Sequence, residues 1–320
     1  MHPIYLTATF TWLLALGIGG VLLWQATPPH CRRPVIGVWA GALLMSPGAY
    51  YLIRVPFLVQ PLTPWLNSLT AQGGWQLVIA DVVRLSLAPL TEEPAKLLPW
   101  LIALALGQRL QPCRRLVVPL AFALGLGFAM GEMWLVAQLI AAADDPQFRG
   151  LPWYAFGGYL NERLETCLTH SLFVLPTVWF ARQGVWRAGL GLTVGMILHF
   201  LGNAPIVLMR RDVGQLGPAV WSILIQFWVL GFTLAGAVAL IGLYLGPKML
   251  RRVLRGRMIC PECGQEYRQS ILLGLNCGRW RYEPCGVCRK WHWVSLDNLA
   301  PLPGQTPATS SSSSPQPPAV

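Results

Sequence analysis

Residues 117–142 read VVPLAFALGLGFAMGEMWLVAQLIAA and contain a single ionisable side chain, that of Glu132. A helix needs about 20 apolar residues to cross a bilayer core about 30 Å thick. The stretch therefore predicts a transmembrane helix. Apolar runs of similar length lie on both sides of it, at residues 4–25, 35–56, 161–182, 188–209 and 219–246. Together they predict an all-α polytopic membrane protein.

The composition of the 320 residues supports this fold class. The chain is 54% hydrophobic and 12% charged, whereas soluble domains carry about 25% charged residues. A single water-soluble domain and a largely disordered chain are thereby excluded. The net charge of +11 raises nucleic acid as a partner. However, the basic residues concentrate between Lys248 and Lys290 and in short loops, as positive-inside topology signals do, so we do not expect nucleic acid.

Residues 75–107 differ from the other apolar runs because they carry several charges and Pro89 and Pro94. Proline ends or kinks a helix, so we predict one crossing made of two helical pieces. The total is then seven crossings. An eighth crossing within 75–107 would place Arg109, Arg114 and Arg115 outside the cell, against the positive-inside rule, so we favour seven.

Loop charges predict the orientation of the crossings. Basic residues are absent before the first span, follow it at Arg32 and Arg33, and cluster again at residues 248–257. These positions predict an outside N-terminus and a cytoplasmic C-terminus. The first span lacks the basic n-region of a signal peptide, which favours a retained helix.

Several polar residues lie inside the predicted spans, where charges cost about 2.5–3.5 kcal/mol or more and therefore indicate function. They are Glu92, Glu93, Glu132, His170, His199 and Asn203. At a helix rise of about 1.5 Å per residue, the acids and histidines fall at similar depths in the outer half of the bilayer. We predict that four helices bring them into one site. A single intramembrane histidine is equally well explained as a packing residue, but the set is not.

Local spacing suggests how the acids are held. Thr91 is a candidate N-cap for the second helical piece, and Lys96 stands four residues after Glu92, where an intrahelical ion pair can form. One glutamate would then be held as an anion while the other faces the cavity as a general base. Ala123, Gly127 and Gly131 form a stripe of small residues beside Glu132, which favours close helix packing.

Four short motifs on separate spans resemble those of the PrsW family of bacterial intramembrane proteases, within the CAAX-protease and abortive-infection superfamily. They are EExxK at residues 92–96, GFAxxE at 127–132 with Phe128 in it, His170, and HxxxN at 199–203. The resemblance covers about residues 75–209. The family often has asparagine after the second-motif glutamate, where this chain has Met133.

The resemblance implies peptide-bond hydrolysis in the outer half of a bacterial cell membrane. Glu92 or Glu93 would activate a water, Glu132 and His170 would complete the polar pocket, and His199 and Asn203 would stabilise the oxyanion. Family members cut single-pass anti-sigma factors, so the implied partner is a membrane-anchored protein substrate. Glutamate and histidine are also ligands of Zn²⁺. A metal-dependent site is therefore an alternative to the metal-free site that we favour.

Two functions of other classes remain as alternatives. Buried carboxylates and histidines can form the proton relay of a transporter, although the spans show none of the inverted repeats that favour one. The membrane part could also be a non-catalytic anchor that displays the C-terminal segment as a binding module.

Two CxxC pairs, Cys260–Cys263 and Cys285–Cys288, follow the last span and predict a Cys₄ zinc ribbon. A segment this short needs a metal to fold, and a cytoplasmic location disfavours disulfides. A redox role is the alternative. We therefore predict a helical membrane protease domain at residues 1–247 and a cytoplasmic ribbon with a basic linker at 248–300.

The remaining C-terminal sequence has two further features. Residues 301–320 are rich in Pro and Ser and carry no charge, which predicts a disordered tail. The ribbon contains aromatic residues among basic ones: Trp280, Tyr282, Trp291 and Trp293 with Arg279, Arg281, Arg289 and Lys290. They suit a small core with a solvated face, a cytoplasmic protein partner or an anionic lipid surface, and we rank partner docking above nucleic-acid binding.

Overall fold

The chain divides into two compact units, Met1–Leu240 and Ile241–Val320. A computed structural model describes residues 2–108, 110–111, 113, 116–143, 151–211, 215–255, 257–268, 275–277 and 280–295. The predicted disordered tail at 301–320 and the loop charges Arg109, Arg114 and Arg115 lie outside these residues.

The first unit is helical. Its helices are α1 (Ile4–Ala26), α2 (Arg32–Gly48), α3 (Gln60–Gln72), α4 (Gly74–Ala105), α5 (Val117–Ala143), α6 (Gly157–Ala181) and α7 (Val185–Arg210). A further helix, α8 (Gly217–Arg255), begins in this unit and continues into the second.

Several of these helices are suited to a membrane, as the predicted fold class requires. In the described part of the chain, five are long and apolar enough to cross one: Ile4–Ala26, Pro29–Gln72, Val117–Ala143, Val185–Met209 and Ala219–Val238. Helices α4 and α6, which carry many of the ionisable residues, are not among them. The topology of seven crossings therefore stays a prediction.

Helix α4 corrects the prediction of two helical pieces. It runs unbroken from Gly74 to Ala105 with Pro89, Pro94 and Pro99 inside it. Thr91 is not an N-cap, because its hydroxyl donates to the carbonyl oxygen of Leu87 at 2.8 Å, as within a helix. In apolar surroundings, ending a helix leaves several backbone groups without partners, whereas each proline removes only one N–H. Continuing the helix is therefore the cheaper solution.

The second apolar run extends past its predicted end at residue 56. Helix α2, a π-helical segment (Ala49–Val59) and α3 follow one another without a break as far as Gln72. π-helical turns are rare and are frequent at functional sites. This one carries Arg54.

Helix α5 lies at the centre of the helical unit and packs against α1, α2 and α6. The predicted close approach along its small-residue stripe is present. A Cβ added to Gly127 would lie 2.3 Å from the carbonyl oxygen of Trp39, and one added to Gly131 would lie 2.1 Å from that of Leu43. The two glycines thus bring the backbones of α5 and α2 into contact.

Four helices position the predicted site residues. Helix α4 packs against α5, α6 and α7, and α6 contacts both α5 and α7.

The second unit contains two small antiparallel sheets. One pairs β1 (Arg257–Ile259) with β2 (Glu266–Arg268), and the other has the order β3 (Leu275–Cys277), β4 (Trp280–Pro284), β5 (Trp291–Ser295). Its core consists of Cys260, Tyr267, Cys285 and Val294, with Cys288 packed against them.

Candidate active site

The deepest part of the site is a buried triad of Glu93, Lys96 and His199. Lys96 and Glu93 are 0% and 1% exposed. The Lys96 ammonium donates to Glu93 Oε1, and Nδ1 of His199 lies 2.6 Å from the same oxygen. The predicted pairing of Lys96 with Glu92 is therefore wrong. Residues three and four positions before a lysine lie on the same helix face, so both Glu92 and Glu93 could have paired with Lys96. Glu92 instead pairs with a different cation.

That cation is Arg54, from the π-helical segment. Its Nη1 lies 2.9 Å from Glu92 Oε1, and both side chains are largely buried. The other carboxylate oxygen of Glu92 has no hydrogen-bond partner among the described residues. It lies 3.9 Å from Nε2 of His199. Glu92 is thus anchored through one oxygen and offers the second.

Glu132 forms the other side of the site. Its Oε2 lies 3.1 Å from Nε2 of His170 and 3.4 Å from Nη1 of Arg163. Arg163 is buried on α6 and also donates to Glu162.

Aromatic rings hold the imidazoles and the buried ammonium. Phe173 stacks on His199, with centroids 4.9 Å apart and planes at 11°. The Lys96 ammonium lies 4.9 Å from the ring centroid of Phe128, which gives this motif residue a cation–π contact. His170 meets His199 edge to face at 5.4 Å.

The buried charges of the site are balanced. Each of the three carboxylates faces one cation: Glu92 with Arg54, Glu93 with Lys96, and Glu132 with Arg163. Buried charges are stable only when paired and hydrogen-bonded. Each of these three carboxylates therefore has a cation nearby, and Arg163 is shared between Glu132 and the more exposed Glu162.

A cavity of about 210 Å³ opens between these groups. Its lining includes Glu92, Glu132, His170, His199 and Asn203, together with both arginines. Glu93 and Lys96 do not line it and lie behind His199. The structure thus brings all six predicted site residues together, five at the cavity and Glu93 one layer back.

Sequence reasoning missed the two arginines. Arg54 stands in the apolar sequence YYLIRVPFLV, which was the available signal: an intramembrane cation implies a buried partner. Arg163 lies near the start of α6. A charge is expected at the end of a span, so its position in the sequence gave no sign of a role in the site.

Glu92, Glu132 and His170 could hold a metal ion, since each offers a ligand atom and these atoms lie within 4.8 Å of one another. Three protein ligands and an open position are typical of catalytic zinc. However, arginine guanidinium groups already stand at 2.9 and 3.4 Å from the two carboxylates and compete with a dication for their charge. The contacts therefore favour the metal-free arrangement.

Four cysteines of the second unit form a separate cluster. Sγ of Cys260 lies 3.8 Å from that of Cys288, and Sγ of Cys263 lies 3.9 Å from that of Cys285. Tetrahedral zinc with Zn–S bonds of about 2.3 Å places its sulfurs about 3.8 Å apart. The cluster therefore fits a Cys₄ zinc site.

The backbone around Cys285 favours a thiolate at this position. Burial raises the pKa of the Cys285 thiol, but the backbone N–H groups of Cys288 and Val287 donate to its sulfur and bring the pKa down to about 7. Ligand thiols must lose their protons to bind a metal. A lowered pKa therefore favours metal binding at neutral pH.

Known families give no further guidance. Comparison with models of protein families, with curated proteins and with solved structures finds no match for this chain.

Proposed function

We propose that the chain is an intramembrane endopeptidase that hydrolyses a peptide bond of a membrane-anchored protein, with a water molecule activated by Glu92. One observation carries the proposal: Glu92 lines a cavity with Glu132, His170, His199 and Asn203, and its second carboxylate oxygen has no hydrogen-bond partner among the described residues. A general base needs a free acceptor within reach of its water. Oε2 of Glu92 and Oε2 of Glu132 both lack a hydrogen bond, but that of Glu132 lies 3.1 Å from His170 and 3.4 Å from Arg163, which makes Glu92 the freer base. Glu93, with its oxygen occupied by Lys96 and His199, does not line the cavity.

In the proposed reaction, Glu92 Oε2 accepts a proton from water as the water oxygen attacks the peptide carbonyl carbon. The carbonyl oxygen becomes an oxyanion and accepts hydrogen bonds from the Asn203 amide and from Nε2–H of His199. When the C–N bond breaks, Glu92 returns the proton to the leaving nitrogen. Hydrogen-bond donors stabilise the oxyanion more strongly in a cavity that excludes water than they would in bulk water.

Glu93 and Lys96 act on the reaction through His199. Because an ionised carboxylate only accepts hydrogen bonds, Nδ1 of His199 is assigned as the donor across its 2.6 Å contact with Glu93. Nε2 then donates to the oxyanion when the ring is protonated. The glutamate behind the ring stabilises that imidazolium, as carboxylates do behind catalytic histidines.

For the second unit we propose Zn²⁺ as a structural metal, held by Cys260, Cys263, Cys285 and Cys288. The metal would cross-link the two CxxC turns and so stabilise a unit too small for a sufficient core. From the loop charges of the sequence we place this unit on the cytoplasmic side of the membrane, where it is available to a protein partner. The resemblance to PrsW proteases suggests that the membrane is that of a bacterial cell.

The peptidase proposal is tested by N-terminal peptide profiling of host membranes. Wild type is compared with Glu92→Gln at matched expression, and Glu165→Gln serves as control because Glu165 lies on α6 outside the cavity lining. We expect a single-pass protein to lose a new N-terminus in Glu92→Gln but not in Glu165→Gln. Identical profiles in all three strains under several envelope stresses would overturn the proposal.

Two further assays examine the other function classes if the profiles coincide. A proton-coupled transporter would show proton flux in vesicles that Glu92→Gln abolishes. A non-catalytic anchor would keep its cellular function in Glu92→Gln and lose it in Cys260→Ser.

A further inference from the structure

The three-stranded sheet of the second unit has two different faces. On one face, Glu283, His292 and Val294 are buried beside the cysteine cluster. The other face presents aromatic rings, because Tyr282 pairs with Trp293 across the strands and Trp291 stands two residues before Trp293 on β5. Side chains alternate between the faces of a sheet, so the ring face points away from the cysteine cluster.

The three rings form one contiguous surface. The Tyr282 centroid lies 5.0 Å from that of Trp293 and 5.3 Å from that of Trp291. Trp291 is 49% exposed. Trp291 thus presents about half of its surface to solvent at the edge of a row of rings, and an exposed apolar patch of this kind points to a bound partner.

From this surface we infer that the aromatic face binds the proline-rich tail of the same chain, residues 301–320. The tail contains Pro301 and Pro303, and further on Pro315, Pro317 and Pro318. Proline-rich segments adopt the polyproline II helix, and aromatic-lined surfaces on small β-domains are their usual receptors.

The spacings agree. Two rings two residues apart on a strand lie about 7 Å from each other. Prolines two or three residues apart on a polyproline II helix lie about 6–9 Å from each other. The pair Pro315 and Pro317 and the pair Pro315 and Pro318 both fall in this range.

The connection favours the tail over a separate partner. Strand β5 ends at Ser295, so the tail begins six residues beyond the end of that strand and Pro315 follows 20 residues beyond it. A tether of this length gives an effective concentration in the millimolar range, which suffices for weak motifs.

Charge also favours the tail. Residues 301–320 carry no charged side chain, which suits a face made of neutral rings.

The test is photo-crosslinking in the full-length chain in native membranes. A benzophenone amino acid replaces Gln316, between two of the tail prolines, and the adducts are mapped by mass spectrometry. We expect adducts on residues 280–293 of the same chain. A mixture of ¹⁴N- and ¹⁵N-labelled chains separates intrachain adducts from those with a second copy.

Two variants make the test specific. Replacing Pro315, Pro317 and Pro318 by alanine, or Trp291 by alanine, should lower the yield about tenfold, as loss of an aromatic or proline anchor does. The metal content must stay at the wild-type level, which shows that the unit is folded. Adducts on lipid, on another polypeptide or on a second copy, or an unchanged yield in folded variants, would each overturn the inference.

Discussion

Nη1 of Arg54 lies 2.9 Å from Oε1 of Glu92, so that a π-helical turn of the second helical run fixes the orientation of a carboxylate on α4. The bond leaves the second oxygen of Glu92 without a hydrogen-bond partner among the described residues, on a side chain that lines the cavity. Arg54 is therefore a positioning residue: it acts on the site through Glu92.

Removing Arg54 should destabilise the protein strongly. Arg54→Met leaves the Glu92 carboxylate buried without its cation and should lower the free energy of unfolding by about 3–5 kcal/mol. The double variant Arg54→Met/Glu92→Met removes both charges and should recover most of that loss. Denaturant titration in detergent measures both effects. Arg187→Met, at an exposed site bonded to Gln183, should change the stability by less than about 0.5 kcal/mol.

A double variant as unstable as Arg54→Met alone would contradict this account, because the cost would then come from lost packing of the arginine stem rather than from an unpaired charge.

The role of His199 can be separated from that of a proton acceptor by two substitutions. His199→Ala should lower kcat by about 10²–10³, the usual cost of losing an oxyanion donor. His199→Gln keeps an N–H near the Nε2 position and should lose only on the order of tenfold. The measurement is the rate of appearance of the new N-terminus with a reconstituted substrate. His30→Ala, at an exposed histidine outside the cavity, is the control.

Equal inactivity of the alanine and glutamine variants would argue against the donor role. His199 would then accept a proton during the reaction, with Glu93 orienting it.

The sequence predicted the location of the site better than its internal pairing. Depth and helix assignment place Glu92, Glu132, His170 and His199 near one another because these follow from apolar run lengths and helix rise. Which cation meets which carboxylate does not follow from them. The choice between Glu92 and Glu93 as partner of Lys96 depends on Arg54, which is distant in sequence.

Continuity of helix α4 was also beyond sequence reasoning. Prolines at 89, 94 and 99 predict breaks by local rules, and the observed helix passes through all of them. The environment decides the outcome, since an apolar surrounding makes broken backbone hydrogen bonds more costly than strained ones. Conversely, the small-residue stripe was readable in advance, because close helix packing needs residues without bulk at a fixed spacing.

The contact between α5 and α2 should be sensitive to one methyl group. Gly131→Ala adds a Cβ that would lie 2.1 Å from the carbonyl oxygen of Leu43, so the helices must separate. Overpacking of this kind costs about 1–3 kcal/mol, measured as a shift in thermal unfolding in detergent. Gly17→Ala is the matched control, since nothing lies within 4 Å of its added Cβ. Equal effects of the two substitutions would show that the contact is not tight.

The cysteine cluster should contain one zinc ion per chain. Plasma mass spectrometry of the purified full-length protein measures the metal content, and Cys260→Ser should reduce it severely because a thiolate ligand and much of the binding free energy are lost. Cys113→Ser, at an exposed cysteine outside the cluster, should leave the content unchanged. Retention of a full zinc equivalent in Cys260→Ser would show that the metal binds elsewhere.

Substitutions at the residue after each CxxC pair should change the zinc affinity differently, because one pair is followed by glycine and the other by arginine. Gly264 and Arg289 each follow the second cysteine of a pair, with φ of 68° and 58°. Each donates its N–H to the carbonyl of the first cysteine, Cys260 or Cys285, at 2.9 and 3.0 Å. A residue with a side chain costs about 1–2 kcal/mol in this left-handed conformation. The first turn avoids this cost because it has Gly264, whereas the second turn carries it at Arg289.

Gly264→Ala should therefore weaken zinc binding about fivefold or more in a chelator competition, since 1.4 kcal/mol is a factor of ten. Arg289→Gly relieves the same strain and should leave the affinity unchanged or raise it up to about fivefold, because glycine loses more chain entropy on folding. Gly286→Ala is the control, since its added Cβ meets Tyr267 at an ordinary 3.7 Å. Weakening by Arg289→Gly to the extent seen in Gly264→Ala would mean that the arginine side chain, rather than the backbone turn, stabilises the second pair.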